Sequence, residues 1–205
     1  MKFHEAVAQA LADQGVTTVF GVIGDANLFM IDSFRRHAGG TYVGLANEAG
    51  AVQAATGYAS VSGAVGVATV THGPGLTNTV TSLVEAARSS TPLLLIAGDT
   101  PVLDPEHLQD VAQREVVAAT GAAFVQVRDP ETVGEDLSAA LRTAVHESRP
   151  VVLNVPVEFQ HRDVERRPRP PRWLPPQPVA PTDEALDAAV GAIAAARRPI
   201  VLAGR

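Results

Sequence analysis

Six short apolar runs, at residues 17–22, 42–45, 65–70, 93–97, 124–127 and 151–155, set the limits on what this chain can fold into. Each is bounded by turn residues, and the segments between them carry apolar residues at helical spacing. Residues 3–14 show the pattern plainly, with Phe3, Val7, Ala10 and Leu11 on one face and Gly15 as the stop. Further helices are expected over 28–36, 49–62, 77–89, 109–118 and 133–148. Strands alternating with helices predict right-handed crossovers and a parallel sheet covered on both faces. The expected fold class is α/β, a three-layer α/β/α arrangement around a six-stranded parallel sheet. The chain is 46% hydrophobic and only 4% aromatic, so its core is built from Ala, Val and Leu, which suits such a sheet.

The pattern changes after residue 160. Between Pro168 and Pro181 lie seven of the fifteen prolines, interleaved with Arg169 and Arg172 and preceded by Arg166 and Arg167. Proline favours extended polyproline geometry, which reads as a semi-rigid linker over 161–182. The arginines can be read as a binding patch or as a solvated linker; the net charge of −6 favours the linker and argues against a nucleic-acid footprint. Beyond it, Thr182 or Asp183 caps a helix over 184–196, and 199–204 reads as a strand. One helix and one strand cannot bury a core of their own. The expected organisation is therefore a domain at 1–160, a linker at 161–182, and the first elements of a second α/β domain at 183–205, with the chain a piece of a longer protein.

Glu48 is the residue most exposed to functional interpretation. Asn47 is a good N-cap, so Glu48 sits where the second strand gives way to a helix. In an open α/β sheet, ligands bind at that edge. The alternative is a first-turn acid that complements the helix dipole and faces water. Gly73-Pro74-Gly75 also lies between a strand and a helix. It reads either as an anion-binding loop or as a tight turn. Gly21-Val22-Ile23-Gly24 has the wrong spacing for a dinucleotide fingerprint.

Three stretches together resemble the pyrimidine-binding domain of thiamine-diphosphate enzymes, the group of the acetolactate synthases and 2-oxoacid decarboxylases. They are Val19-Phe20-Gly21-Val22-Ile23-Gly24-Asp25-Ala26-Asn27, then Asn47-Glu48-Ala49-Gly50-Ala51 with Gly57-Tyr58-Ala59, then Thr71-His72-Gly73-Pro74-Gly75-Leu76-Thr77-Asn78. The resemblance implies that Glu48 hydrogen-bonds the pyrimidine N1′ of the cofactor and favours its imino form. It implies that Gly73, Pro74, Gly75, Asn78, Ile23 and Gly24 lie at the cofactor. The diphosphate and its Mg belong to a domain bearing Gly-Asp-Gly, which this chain lacks, so no metal site is expected here. FAD is a possible ligand of the central domain.

The reaction type is read from two places that disagree. Gly24-Asp25-Ala26-Asn27 resembles the decarboxylases, whose Asp faces the substrate, whereas Leu108-Gln109-Asp110 resembles the Phe-Gln-Glu of the synthases. His72 replaces the usual Ser, either to touch substrate or as an ordinary loop histidine. The expected catalytic set is Glu48, Asp25, His72 and Gln109. The expected function is decarboxylation of a 2-oxoacid followed by acetolactate-synthase-like carboligation. A simple decarboxylase and a non-catalytic domain of the same fold are the alternatives. The resemblance also implies a homodimer or homotetramer. Without cysteine, a signal-peptide core or a membrane-length apolar run, a cytoplasmic location is expected, and so is the absence of nucleic-acid and membrane partners. His4, His37, His146 and His161 read as surface residues.

Overall fold

A computed structural model describes residues 1–101, 104, 106–165 and 179–202. The chain divides into two compact units, Met1–Leu174 and Pro175–Arg205. In the first, the order is α1 (Phe3–Asp13), β1 (Thr18–Gly21), α2 (Leu28–Arg36), β2 (Thr41–Gly44), α3 (Glu48–Ser62), β3 (Gly66–Val70), α4 (Pro74–Thr77), α5 (Val80–Arg88), β4 (Leu93–Asp99), α6 (Gln113–Thr120), β5 (Ala123–Gln126), α7 (Val133–His146) and β6 (Pro150–Pro156). The six strands form one parallel sheet in the order β2-β1-β3-β4-β6-β5.

Alternation along the strands sorts the core into two layers. Val67, Leu94 and Ile96 face one side, against Leu11 of α1, Phe34 of α2 and Leu137 of α7. Ala68, Leu93 and Leu95 face the other, against Val52 of α3, Leu83 of α5 and Val117 of α6. Both faces of the central strands are thus sealed, which explains their unbroken apolar runs. The chain passes from β1 out to β2 and returns across β1 to β3. The β1/β3 boundary is therefore a switch point, where the loops leaving the strands diverge and open a crevice.

Several expectations need correction. The run at 42–45 reads as a buried strand, but β2 is the sheet edge and Val43 is 36% exposed. The helix expected over 77–89 is found as α5 and starts at Val80; Thr77 instead closes α4, a separate turn that Pro74 starts at its N1 position, and the Asn78-Thr79 corner parts the two. Thr79 Oγ1 secures that corner by donating to Leu76 O at 2.6 Å. α6 begins at Gln113 rather than 109, so Gln109 lies in the turn before it. His4 is half-buried rather than superficial.

In the second unit, Thr182 caps α8 (Asp183–Ala195) by accepting from Ala185 N at 3.3 Å. Residues 199–202 form no strand, since a strand needs a partner ladder and this unit offers none among its described residues. Ala203 and Gly204, and the arginines and prolines of 166–178, lie outside the described residues. No helix among the described residues is long and apolar enough to cross a membrane.

Candidate functional site

Two clusters form where β2, β1 and β3 end side by side, with Gly21 in register with both Gly44 and Thr69. The first is built on the β2–α3 junction. Asn47 Oδ1 accepts from Gly50 N at 2.7 Å and caps α3, which fixes Glu48 as the first helical residue. Glu48 is half-buried. Asn78 Nδ2, from the corner between α4 and α5, donates to Glu48 Oε2 at 3.0 Å. A continuous helix over 77–89 would carry Asn78 within its body; the break turns it toward the carboxylate. Among the described residues Oε1 accepts no hydrogen bond. Glu48 is thus held by one oxygen and presents the other.

The second cluster lies at the β1/β3 crevice. Asn27 Oδ1 accepts from Gly24 N at 2.8 Å, and its amide donates to Val22 O at 3.0 Å, which shapes the loop after β1. Gly24 lets this loop meet the one after β3: a Cβ there would lie 2.6 Å from Thr71 Cβ. Asp25 is brought over Thr71, whose hydroxyl donates to Asp25 Oδ1 at 2.8 Å. With that proton committed, Thr71 Oγ1 accepts from His72 Nδ1, 3.3 Å away. His72 Nδ1 also lies 3.7 Å from Asp25 Oδ1. His72 is fully buried, its Nε2 finds no hydrogen-bond partner among the described residues, and its ring packs edge-on to His107 at 5.2 Å. Ile23 is about half exposed at the loop's outer side (48%).

Gly73 occupies positive φ (+56°), and a Cβ on it would collide with Gln109 O. The residue is glycine because segment 109–113 presses on the loop. Gln109 contributes its backbone there, and its N–H donates to His107 Nδ1 at 3.2 Å. Pro74 is exposed and Gly75 buried beneath it.

Sequence reasoning missed the residues that hold this loop from below. Gly73 N donates to Gln113 Oε1 at 2.6 Å, and Gln113 continues to Asn154 and Asp99. Asn154 carries a usable signal: a lone amide within Val151-Val152-Leu153-Asn154-Val155, a fully buried strand, requires a buried partner. Nothing in the pattern around Gln113 marks it. Among the described residues, no group of three or more His, Asp or Glu gathers as a metal site.

The arrangement suits an aminopyrimidine ring. A half-buried carboxylate is held by one oxygen and leaves the other without a hydrogen bond among the described residues. The family described as thiamine pyrophosphate enzyme, N-terminal TPP binding domain, matches residues 1–122. Sulfoacetaldehyde acetyltransferase of Rhodobacter capsulatus is 30% identical over 208 residues, covering 100% of this chain and 34% of that protein. The chloroplastic acetolactate synthase of Arabidopsis thaliana is 30% identical over 210 residues, covering 99% and 31%. The acetolactate synthase large subunit of Corynebacterium glutamicum is 30% identical over 205 residues, covering 98% and 33%. The chain spans about a third of the length of these relatives.

Proposed function

The chain belongs to the thiamine pyrophosphate enzymes, matched through their N-terminal TPP-binding domain, and on that premise we propose that residues 1–160 form the pyrimidine-binding half of the cofactor site in an enzyme acting on 2-oxoacids. The observation that carries this reading is the Asn78–Glu48 bond, which leaves Glu48 Oε1 presented at the sheet edge. When bound, thiamine diphosphate supplies carbanion chemistry at its thiazolium C2. In the loaded site Glu48 Oε1 would share a proton with the pyrimidine nitrogen. Asn78 keeps the carboxyl from rotating away. Gly73 and Gly75 let the loop pack tightly on segment 109–113 and on Thr71, which fixes the loop beside the Glu48 site.

The diphosphate and its magnesium fall to a domain outside this chain, as does any flavin. The two halves of such a site come together between subunits, so the working protein is a dimer or a higher oligomer. Residues 161–182 then link this domain to the one that α8 begins.

For the reaction, carboligation following decarboxylation is supported by the acetolactate synthases among the relatives. Simple decarboxylation has its own observation in its favour. Asp25, bonded to Thr71 and backed by His72, offers a carboxyl that can relay a proton from solvent to the product carbon. The test is a product analysis of the full-length protein with thiamine diphosphate, Mg²⁺ and pyruvate. A hydroxyketone as main product supports carboligation, and acetaldehyde alone supports the decarboxylase. No turnover of any 2-oxoacid by cofactor-saturated protein would overturn both.

A further inference from the structure

Two buried amide side chains outside these two clusters, Gln113 and Asn154, join Gly73 to Asp99 in one directional chain. Gly73 N–H donates to Gln113 Oε1 (2.6 Å), Gln113 Nε2 to Asn154 Oδ1 (2.5 Å), and Asn154 Nδ2 to Asp99 Oδ2 (2.6 Å). Gln113 is 4% exposed and Asn154 1%. The chemistry fixes both amide orientations. A backbone N–H can only donate, so the oxygen of Gln113 faces Gly73 and its nitrogen faces Asn154. The oxygen of Asn154 then faces Gln113, and its nitrogen faces a carboxylate. Every bond therefore points the same way, and each polarises the next. Side bonds brace the chain, from Gln113 Nε2 to Gly98 O at 2.9 Å and from Asn154 Nδ2 to Gln126 Oε1 at 2.8 Å.

The terminal acceptor meets solvent. Asp99 lies in a cleft of about 410 Å³ at the C-terminal ends of β4, β6 and β5. Its Oδ1 accepts from Thr100 N at 2.9 Å. Asp104, Asp110 and Glu115 line the same cleft, with Arg114 lying 4.4 Å over the Phe124 ring.

We propose that Asp99, acting through Asn154 and Gln113, is a positioning residue for the Gly73-Pro74-Gly75 loop, and that its ionisation in the cleft is felt at the Gly73 N–H. A neutral Asp99 is a poorer acceptor at both oxygens, which weakens the pull on Asn154 and then on Gln113. The loop loosens in turn. Burial raises the pKa of Asp99 above the ordinary 3.8. The bonds from Asn154 and Thr100 act against that shift, while the charges of Asp110 and Glu158 add to it. The consequence for the cofactor rests on the placement of the pyrimidine ring proposed above; the relay does not.

Nuclear magnetic resonance on this 205-residue chain without cofactor tests the relay. The Asp99 side-chain carboxyl and the Gly73 amide proton should shift with a common inflection as pH is lowered. In Asp99→Asn, which cannot accept from both Thr100 and Asn154 in one orientation, the inflection at Gly73 should vanish. Its amide should exchange about tenfold faster, as expected for loss of one hydrogen bond's worth of protection. The Val67 amide in the core of β3 should keep its protection and thereby report an intact fold. A Gly73 amide that stays fixed while Asp99 titrates would overturn the proposal, and the wild-type titration decides this even if the variant does not fold. Thiamine diphosphate and Mg²⁺ are then added to the full-length protein, in which the proposed diphosphate-binding domain is present. Unmoved loop resonances at saturating cofactor would remove the ring placement and leave the relay standing.

Discussion

Asn78 Nδ2 and Glu48 Oε2 lie 3.0 Å apart, joining the corner between α4 and α5 to the first residue of α3. The bond turns a first-turn acid into a directed one. A carboxylate at a helix N-terminus ordinarily turns freely in water. Here one oxygen is occupied and the other accepts no hydrogen bond among the described residues. The Asn78-Thr79 break and the Asn47 cap are the local devices that make the alignment possible.

Removing the partner should therefore loosen the carboxyl without removing it. In the full-length protein, Asn78→Ala should weaken thiamine diphosphate binding about tenfold, the effect of losing one hydrogen bond to a charged group. Asn78→Asp should weaken it further, by setting a second carboxylate against Glu48. Calorimetric titration measures both. Equal affinities in all three proteins would mean that the bond does not orient Glu48.

Gly73 is strained for any other residue. Gly73→Ala should cost about 2 kcal/mol or more in unfolding free energy, from the positive φ together with the collision against Gln109 O. Gly57→Ala serves as the comparison, since its site has open space and a helical residue gains by the change. Urea denaturation of the chain gives both values, and a neutral Gly73→Ala would show that segment 109–113 yields.

His4 should govern part of the acid stability. Burial holds its pKa below the ordinary 6.5, with Glu5 opposing and His161 and Lys2 assisting. The folded form then binds fewer protons than the unfolded one. Its contribution is present above pH 6.5 and lost as pH falls through the depressed folded value. Melting temperature should drop over that interval, and His4→Gln should flatten the drop. An unchanged slope in the variant would assign the loss to other groups.

The strands and most helices were legible because their sealed faces impose an unbroken apolar run or a regular helical spacing. Leu28–Arg36 is found at the bounds its pattern predicts. The errors have separate causes. An edge strand such as β2 and a buried one carry similar residues when short, so Val43 gave no warning of its exposure. At the corner between α4 and α5 the Thr79 side chain bonds the local backbone and that of Asn78 a carboxylate 30 residues away, which a spacing pattern cannot express. Glu48, Asn78, Asp25 and His72 stood out as motif residues, and the structure gathers them at one sheet edge. Gln113 and Asp99 were not legible, because their meaning lies in partners 40 and 55 residues away.

Asp25 provides a test of outcome rather than of binding. Asp25→Gly should move the product of the full-length enzyme from aldehyde toward hydroxyketone. A change of ~1.4 kcal/mol between the two barriers shifts the ratio tenfold. Product analysis with a 2-oxoacid, with and without added aldehyde, reads the ratio. The same ratio in both proteins would leave Asp25 as a loop residue bonded to Thr71.

The most direct test concerns Glu48 itself. Deuterium exchange at C2 of bound thiamine diphosphate separates cofactor activation from substrate binding and product release. In the full-length protein, Glu48→Gln keeps the shape and the bond to Asn78 but removes the acidic proton. Exchange should slow by about two orders of magnitude or more, the range for loss of a general acid–base group. An unchanged exchange rate at saturating cofactor would contradict the account and return Glu48 to the role of a solvated first-turn acid.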